Sequence, residues 1–393
     1  MTAAPTTDHD RLARITWSLI AEPSDPVALL AREVLGAGTA LDLAREAGPA
    51  EAATALGARS DTEGRSIPAA LDRWRARLAV VHPERTLETA ERRGIRVVVP
   101  GDAEWPPLLD DLERATPHCL WACGPDSLAE RTTGALSIAL VGSRASTPYG
   151  EDTAVSIGGA CAGRGATVVS GGAYGIDAAA HRGALAAVDG GGSGATIAIL
   201  AGGLDALYPR GNTALLEEIR DRHLLLSEAP PGTAPTRWRF LARNRLIAAL
   251  SRAVVVIEAS WRSGALSTAR HADDLSRPVG AVPGPITSAA SAGCHRLVRE
   301  RGAVLVTEPD EALDLLPGGP AAGDSHHAVQ DELDLLEPSD RRVLDGIPPR
   351  SGIATDTLAL DCALDPGAVT AALARLELLG LVVRRGQRVR RAR

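Results

Sequence analysis

IALVGS (138–143), TVVSGG (167–172) and TIAILAGG (196–203) are apolar on consecutive positions, and each run ends in small residues and glycine. A strand with one face in water alternates apolar with polar residues. A run without alternation belongs to a strand covered on both faces, as in parallel sheets flanked by helices. The segments between these runs, residues 150–164 and AAAHRGAL after Asp177, read as helices. HLLLSE (223–228), AVVVIEAS (253–260), PVGAVPG (278–284) and AVLVTE (303–308) continue the alternation. The expected fold class is therefore α/β, an extended Rossmann-like, doubly wound sheet over residues 93–316.

Outward from this centre, RLARITWSLI, PVALLAREVL and LDRWRARLAVV space their apolar residues helically, so residues 1–92 read as an N-terminal small helical domain. PGGPAAGDSHHAVQ (317–330) has no periodicity, and 317–332 reads as a linker. Residues 333–393 give three short helical patterns and then LVVRRGQRVRR, two strand-like runs around a glycine. The third helix takes Asp365 as N-cap, Pro366 as its first residue and Gly380 as its end. Three helices and a hairpin predict a C-terminal winged-helix domain.

The chain has 393 residues, with 42 basic against 49 acidic side chains and a net charge of −7. All 42 basic residues are arginine. Without lysine there is no Gly-Lys-Ser/Thr phosphate loop, no Schiff base and no lysine general base. Cysteines 119, 123, 161, 294 and 362 form no CxxC pair, which fits a reducing compartment with free thiols; neither a metal nor a cofactor is expected. No apolar run reaches membrane-spanning length, and MTAAPTTDHDRLAR lacks the pattern of a signal peptide. A cytoplasmic protein with no membrane partner is the expectation.

In a doubly wound sheet, ligands bind outside the carboxyl ends of the strands. Gly142-Ser143-Arg144, running through Thr147 into a helix, combines close backbone approach, free N–H groups and a guanidinium fork. It reads either as a phosphate seat or as a tight turn. Ser170-Gly171-Gly172-Ala173-Tyr174-Gly175 again brings backbone close to something. His181 one turn later reads as a packing residue, and no G-x-G-x-x-G dinucleotide fingerprint occurs. AGGLDALYPRGN (201–212) puts Arg210 and Asn212 at the same edge. Ser263, Gly264, Ser267 and Thr268 open another helix, as an anion nest or as ordinary caps.

Residues 229–257 contain five arginines and no acid, which in an acidic chain points to a polyanionic partner. Trp238 and Phe240 interleave with Arg237, Arg239, Arg243 and Arg245, a pattern suited to stacked unpaired bases over a tracked phosphate backbone. Of the ten aromatic residues, six (Tyr149, Tyr174, Tyr208, Trp238, Phe240 and Trp261) fall in or beside these loops, which favours stacking over core packing. The terminal stretch 384–393 has six arginines and no acid. It reads as a solvated tail or as a second contact for nucleic acid.

ALVGSRASTPYG, VVSGGAYGIDAAAHRGAL, TIAILAGGLDALYPRGN, LLLSEAPPGT, FLARNRLIAALS, VVVIEASWRSGALSTARHA and GAVPGPI with SAGCHRLVRERGA together resemble, in order, the DNA-processing protein A (DprA/Smf) family. The resemblance implies single-stranded DNA binding, homodimerisation through the α/β domain, and loading of RecA recombinase during natural transformation. It also places Gly142, Ser143 and Arg144 on a phosphate-binding turn, and Arg243, Asn244 and Arg245 on an Arg-Asn-Arg motif. Tyr174 stands where the family usually has arginine, so its ring is expected to replace a basic contact by stacking. Leu241 stands where a proline is common.

The leading expectation is a non-catalytic protein that holds single-stranded DNA in a basic groove. A nucleoside-monophosphate-hydrolysing enzyme using Glu228, Glu258 or Asp177 is the alternative from another class. Double-stranded DNA binding by the winged helix alone is the third.

Overall fold

The computed structural model describes residues 7–57, 61–134, 136–317, 336–348, 351–386 and 388–392. From residue 318 on, the expected linker lies outside the described residues. The chain divides into two compact units, 1–321 and 322–393.

The first unit begins with six helices: α1 Asp8–Ile20, α2 Pro26–Leu35, α3 Ala37–Glu46, α4 Pro49–Ala55, α5 Asp61–Leu78 and α6 Pro83–Glu91. Thr7 and Asp25 cap α1 and α2 through their side chains. Trp17 and Trp74, both buried, meet edge to face with ring centres 4.9 Å apart, and Leu41, Ile67 and Leu71 close the cluster around them. This small core does not stand apart from the sheet. Trp17 stacks on His118 at 5.6 Å, and the Arg32 guanidinium donates to the Thr116 carbonyl at 2.6 Å.

The strands follow as β1 Ile95–Val98, β2 Leu120–Cys123, β3 Ser137–Val141, β4 Thr167–Ser170, β5 Ala195–Leu200, β6 Leu224–Ser227, β7 Ala253–Val256, β8 Val279–Ala281 and β9 Val304–Leu305. They form one sheet in the order β1-β2-β6-β5-β4-β3-β7-β8-β9. All pairings from β6 across to β9 are parallel. At one edge β1 and β2, which the sequence reading did not single out as strands, add antiparallel to β6. IRVV and LWAC are apolar enough to be strands, but their direction is set by the connections around them.

Helices α7 Pro148–Gly163, α8 Ile176–Asp189, α9 Thr213–Arg222, α10 Arg237–Ala249, α11 Ala265–Asp274, α12 Ala292–Arg301 and α13 Pro309–Asp314 alternate with the strands. Along β3 and β7 the side chains divide by parity. Ile138, Leu140, Ala253 and Val255 pack with α7, α8 and α13, whereas Ala139, Val141, Val254 and Val256 pack with α10, α11 and α12. Both faces are therefore apolar, which is why these runs read without alternation; each fully buried Ile, Leu or Val contributes about 1.5–3 kcal/mol. The chain moves outward from β3 through β4, β5 and β6, then returns to β3's other side as β7. The crevice of a doubly wound sheet falls at that reversal, between the ends of β3 and β7.

Helices α7 and α8 touch backbone to backbone. A Cβ on Gly183 would lie 2.2 Å from the Val155 carbonyl oxygen, and one on Gly158 would lie 2.5 Å from that of Ala180. His181 is buried in the same helix, its Nδ1 2.6 Å from the Thr196 hydroxyl, so it packs and hydrogen-bonds as read from the sequence.

The second unit holds α14 Pro338–Gly346, α15 Thr355–Asp361 and α16 Pro366–Leu378, with a small sheet of β10 Ile353–Ala354, β11 Val382–Arg385 and β12 Arg388–Arg391 in the order β10-β12-β11. This is the expected winged helix. Asp365 caps α16 by accepting from the Gly367 N–H at 2.9 Å, and Gly380 turns the chain at φ 72°. Arg375 pairs bidentately with the buried Asp340, joining α16 to α14 and holding that carboxyl below its ordinary range. Rather than forming a free tail, residues 388–391 are a wing strand, and Arg391 donates to the Leu344 and Ile347 carbonyls at the end of α14.

Two stability measurements test this packing. Gly183→Ala is expected to lower stability by about 1–3 kcal/mol through overpacking, read as the shift in urea midpoint. Gly163→Ala, with nothing within 4 Å of the added carbon, is expected to be neutral or stabilising. Burial, with Arg243 next, pushes the His181 imidazole from its ordinary 6.5 down to about 3; His118 is also pushed well below 6.5, by burial and then by Arg32. Unfolded, both histidines take up protons below about 6.5, whereas native His181 does not until about 3. Stability is therefore expected to be full above 6.5 and to fall as pH drops toward 3; His181→Gln should flatten that fall.

Candidate nucleic-acid interface

The reversal point opens into a cleft of about 1220 Å³ at the strand ends. Its lining holds eight arginines, at 144, 237, 243, 245, 262, 270, 296 and 301, against a single carboxylate, Asp177. Of the sequence-derived candidates, Gly142, Ser143, Arg144, Phe240, Arg243, Asn244, Arg245, Ser263, Gly264, Ser267 and Thr268 meet there.

Gly142 directly follows β3, where a side chain would strike Ile176 and the Glu258 carbonyl, so the turn carrying Arg144 lies tight against its neighbours. Arg144 is exposed and its guanidinium carbon sits 4.2 Å above the Phe240 ring. Tyr208 approaches the same ring at 6.1 Å. A flat aromatic surface beside an unpaired cation is thus available at one point of the cleft. Arg144, Arg237, Arg243, Arg262 and Arg270 form no ion pair among the described residues.

The Arg-Asn-Arg stretch lies on α10, which Thr236 caps, and its three residues do different work. Arg243 is buried; it donates to the Ile199 carbonyl, while its Nε has no protein partner. Gly171 has no room for a Cβ because the Arg243 guanidinium occupies that space. Burial lowers the Arg243 pKa to about 10, against the pull of Asp177, so it stays charged at neutral pH. Burial in turn raises the Asp177 carboxyl, and Arg243 only partly offsets it. Asn244 donates to the Gly264 carbonyl at 3.2 Å and ties α10 to the start of α11.

Two expected cations are corrected by the structure. Arg245 is buried in a bidentate pair with Glu228, at 2.7 and 2.8 Å, and also donates to the Ala115 carbonyl at 3.0 Å. Arg239 is held bidentately by Glu22 of the helical module, at 2.9 and 3.0 Å, and Glu22 also takes Arg77. Both arginines are structural ties, not free grips for phosphate.

The remaining candidates lie outside the cleft. Thr147 caps α7 and donates its hydroxyl to Glu258, which also accepts the Thr147 N–H. Buried Ser170 donates to the Leu140 carbonyl. Gly172 turns at φ 65° against Leu200 and Leu216. Asn212 bonds the carbonyls of Gly172 and Ala173. The Tyr174 hydroxyl accepts the Gly211 N–H at 3.2 Å, and its half-exposed ring lies against that loop, outside the cleft lining. Arg210 is exposed on the same loop. The carboxylates offered as acid or base are committed as well: Glu228 to Arg245, Glu258 to Thr147, and Asp177 weakly to the Ala173 N–H.

Aromatic placement is the clearest sign of use. Trp17, Trp74, Trp105 and Trp121 are core residues, whereas Tyr149, Tyr174, Tyr208, Trp238 and Trp261 are each about half exposed at the strand-end edge. Trp238 and Trp261, read from the sequence as stacking rings, line the cleft, and Arg296 and Arg301 join them from outside the sequence-derived candidates. Only α12 brings the last two there; their spacing on SAGCHRLVRER was the available hint.

The fold and this cleft define a doubly wound α/β protein with an arginine-lined strand-end cleft, followed by a winged helix. Residues 96–317 match the family model described as DNA recombination-mediator protein A, and residues 328–387 match the DprA winged helix domain. The chain belongs to this DprA/Smf family, and its role lies in DNA processing for recombination. It is similar to a putative DNA processing protein DprA of Mycobacterium tuberculosis, 46% identical over 306 residues, covering 75% of this chain and 76% of that one. Protein Smf of Synechocystis is 33% identical over 330 residues, covering 77% and 81%. Among solved structures, DNA processing protein A from Streptococcus pneumoniae aligns with a TM-score of 0.61 and 30% identity, over 80% of this chain and 99% of that one.

Glu228→Ala strands the buried Arg245 charge and is expected to cost about 3–5 kcal/mol in guanidinium unfolding. Replacing both partners, Glu228→Leu with Arg245→Met, should recover most of that loss.

Proposed function

We propose that the chain binds single-stranded DNA in the strand-end cleft and, without catalysing a reaction itself, loads RecA recombinase onto it in natural transformation. The single observation behind the DNA-binding part is the cleft lining: eight arginines, five of them without an ion pair among the described residues, against one carboxylate, with half-exposed rings, in a chain of net charge −7. Unpaired bases have faces to stack on such rings, and their phosphates pair with guanidinium groups. A duplex hides those faces. RecA loading, a homodimer and a cytoplasmic setting belong to the proposal through the family resemblance.

The grip is assigned to Arg144, Phe240 and Arg243, with the turn at Gly142 and Ser143 and the α11 start at Ser263, Gly264, Ser267 and Thr268. Duplex reading by the winged helix is disfavoured by α16. Its exposed positions include Ala368, Thr370, Ala371, Ala374 and Leu378, and its one arginine, Arg375, is engaged by Asp340. Major-groove readers need polar and basic side chains on that face.

Arg144→Ala is expected to weaken single-strand binding by about 1–3 kcal/mol, as charge-assisted hydrogen bonds do. It should also make the slope of log affinity against log salt shallower by about 0.7, one phosphate's worth on a single strand. Anisotropy titrations of a labelled oligonucleotide, single against double stranded, measure both; unchanged affinity in the variant rejects the assigned grip. Removing residues 333–393 is expected to leave most of the single-strand affinity intact.

A further inference from the structure

We infer that Trp261 is a second base-stacking seat in the cleft, separate from the Arg144–Phe240 seat. This inference rests on the single-strand reading above and extends it. Trp261 follows the end of β7, is 53% exposed and lines the cleft. The Arg296 guanidinium carbon lies 4.9 Å from its ring centre. Arg296 is itself anchored one helical turn on by Glu300, at 2.8 Å, so the cation is held over the indole. A cation on one face leaves the other for a flat partner, and indole is the strongest of the aromatic side chains in such contacts.

Three features of the surroundings point to a base as that partner. The cleft, at about 1220 Å³, exceeds the roughly 300–1,000 Å³ of sites for single small ligands, so it has room for more than one nucleotide. Arg262 and Arg270 line the same cleft, exposed and without ion pairs among the described residues, where a strand seated on Trp261 needs phosphate partners. The pairing of ring and guanidinium repeats that of Phe240 and Arg144 with residues from different elements. Two such seats fix two positions along one strand, and the base, rather than the phosphate, is what the second recognises.

The full chain is titrated with a labelled twelve-residue oligothymidylate and with an abasic strand of the same length and charge. Trp261→Ala is expected to weaken oligothymidylate binding about tenfold and to leave abasic binding as in the wild type, with Trp261→Phe in between. Arg144→Ala should weaken both strands. Intrinsic fluorescence gives an independent readout: oligothymidylate quenches it, and Trp261→Phe removes part of that quench. Equal oligothymidylate affinity in wild type and Trp261→Ala overturns the seat, as does an equal loss for both strands, which marks a structural role. In either case a retained Arg144→Ala effect leaves the single-strand reading standing. A wild-type chain that holds neither strand overturns both.

Discussion

The buried pair of Arg245 and Glu228 determines where everything else at the strand ends can be. Glu228 directly follows β6, and Arg245 lies in the middle of α10. Their two short bonds hold that helix across the sheet, with a third bond to the Ala115 carbonyl on the other side. With α10 so fixed, Arg243 reaches the Ile199 carbonyl at the end of β5, and Asn244 meets the turn before α11. Phe240, one turn earlier, then stands under Arg144. A charge pair of this kind adds little net stability, because desolvation offsets attraction. Its effect is positional: a misplaced α10 leaves a buried charge without a partner.

Much of the architecture could be read without coordinates because burial on both faces leaves a mark on the sequence itself. The runs at 138–143, 167–172, 196–203 and 253–260 lack alternation for that reason, and the parity of Ile138 and Ala139 across two cores shows it directly. The caps of α16 at Asp365 and Gly380 were equally legible, since capping is a matter of a few neighbouring residues. The antiparallel edge was not. Strand direction there depends on how the 21-residue excursion between Val98 and Leu120 closes, and no local pattern carries that information.

The site divided along the same line. An acid-free window from 229 to 257 correctly marked a basic element, but it could not show that Arg239 and Arg245 are neutralised. Their partners are Glu22, 217 residues away on another element, and Glu228, just outside the window. Net charge in a window measures composition, whereas free charge depends on what folds against it. Conversely, Arg296 and Arg301 come from a helix the basic stretch did not include, and they enter the cleft because α12 packs on the same face as α10 and α11.

The glycine contact between α7 and α8 also bears on how the cleft can behave. These helices begin at the two loops that form one rim, after β3 and after β4, and their backbones touch without side chains between them. Such a seam leaves no compressible layer, so α7 and α8 move as one block and the loops at their starts keep their spacing. On the proposed reading, a strand entering the cleft must then supply most of the conformational adjustment itself.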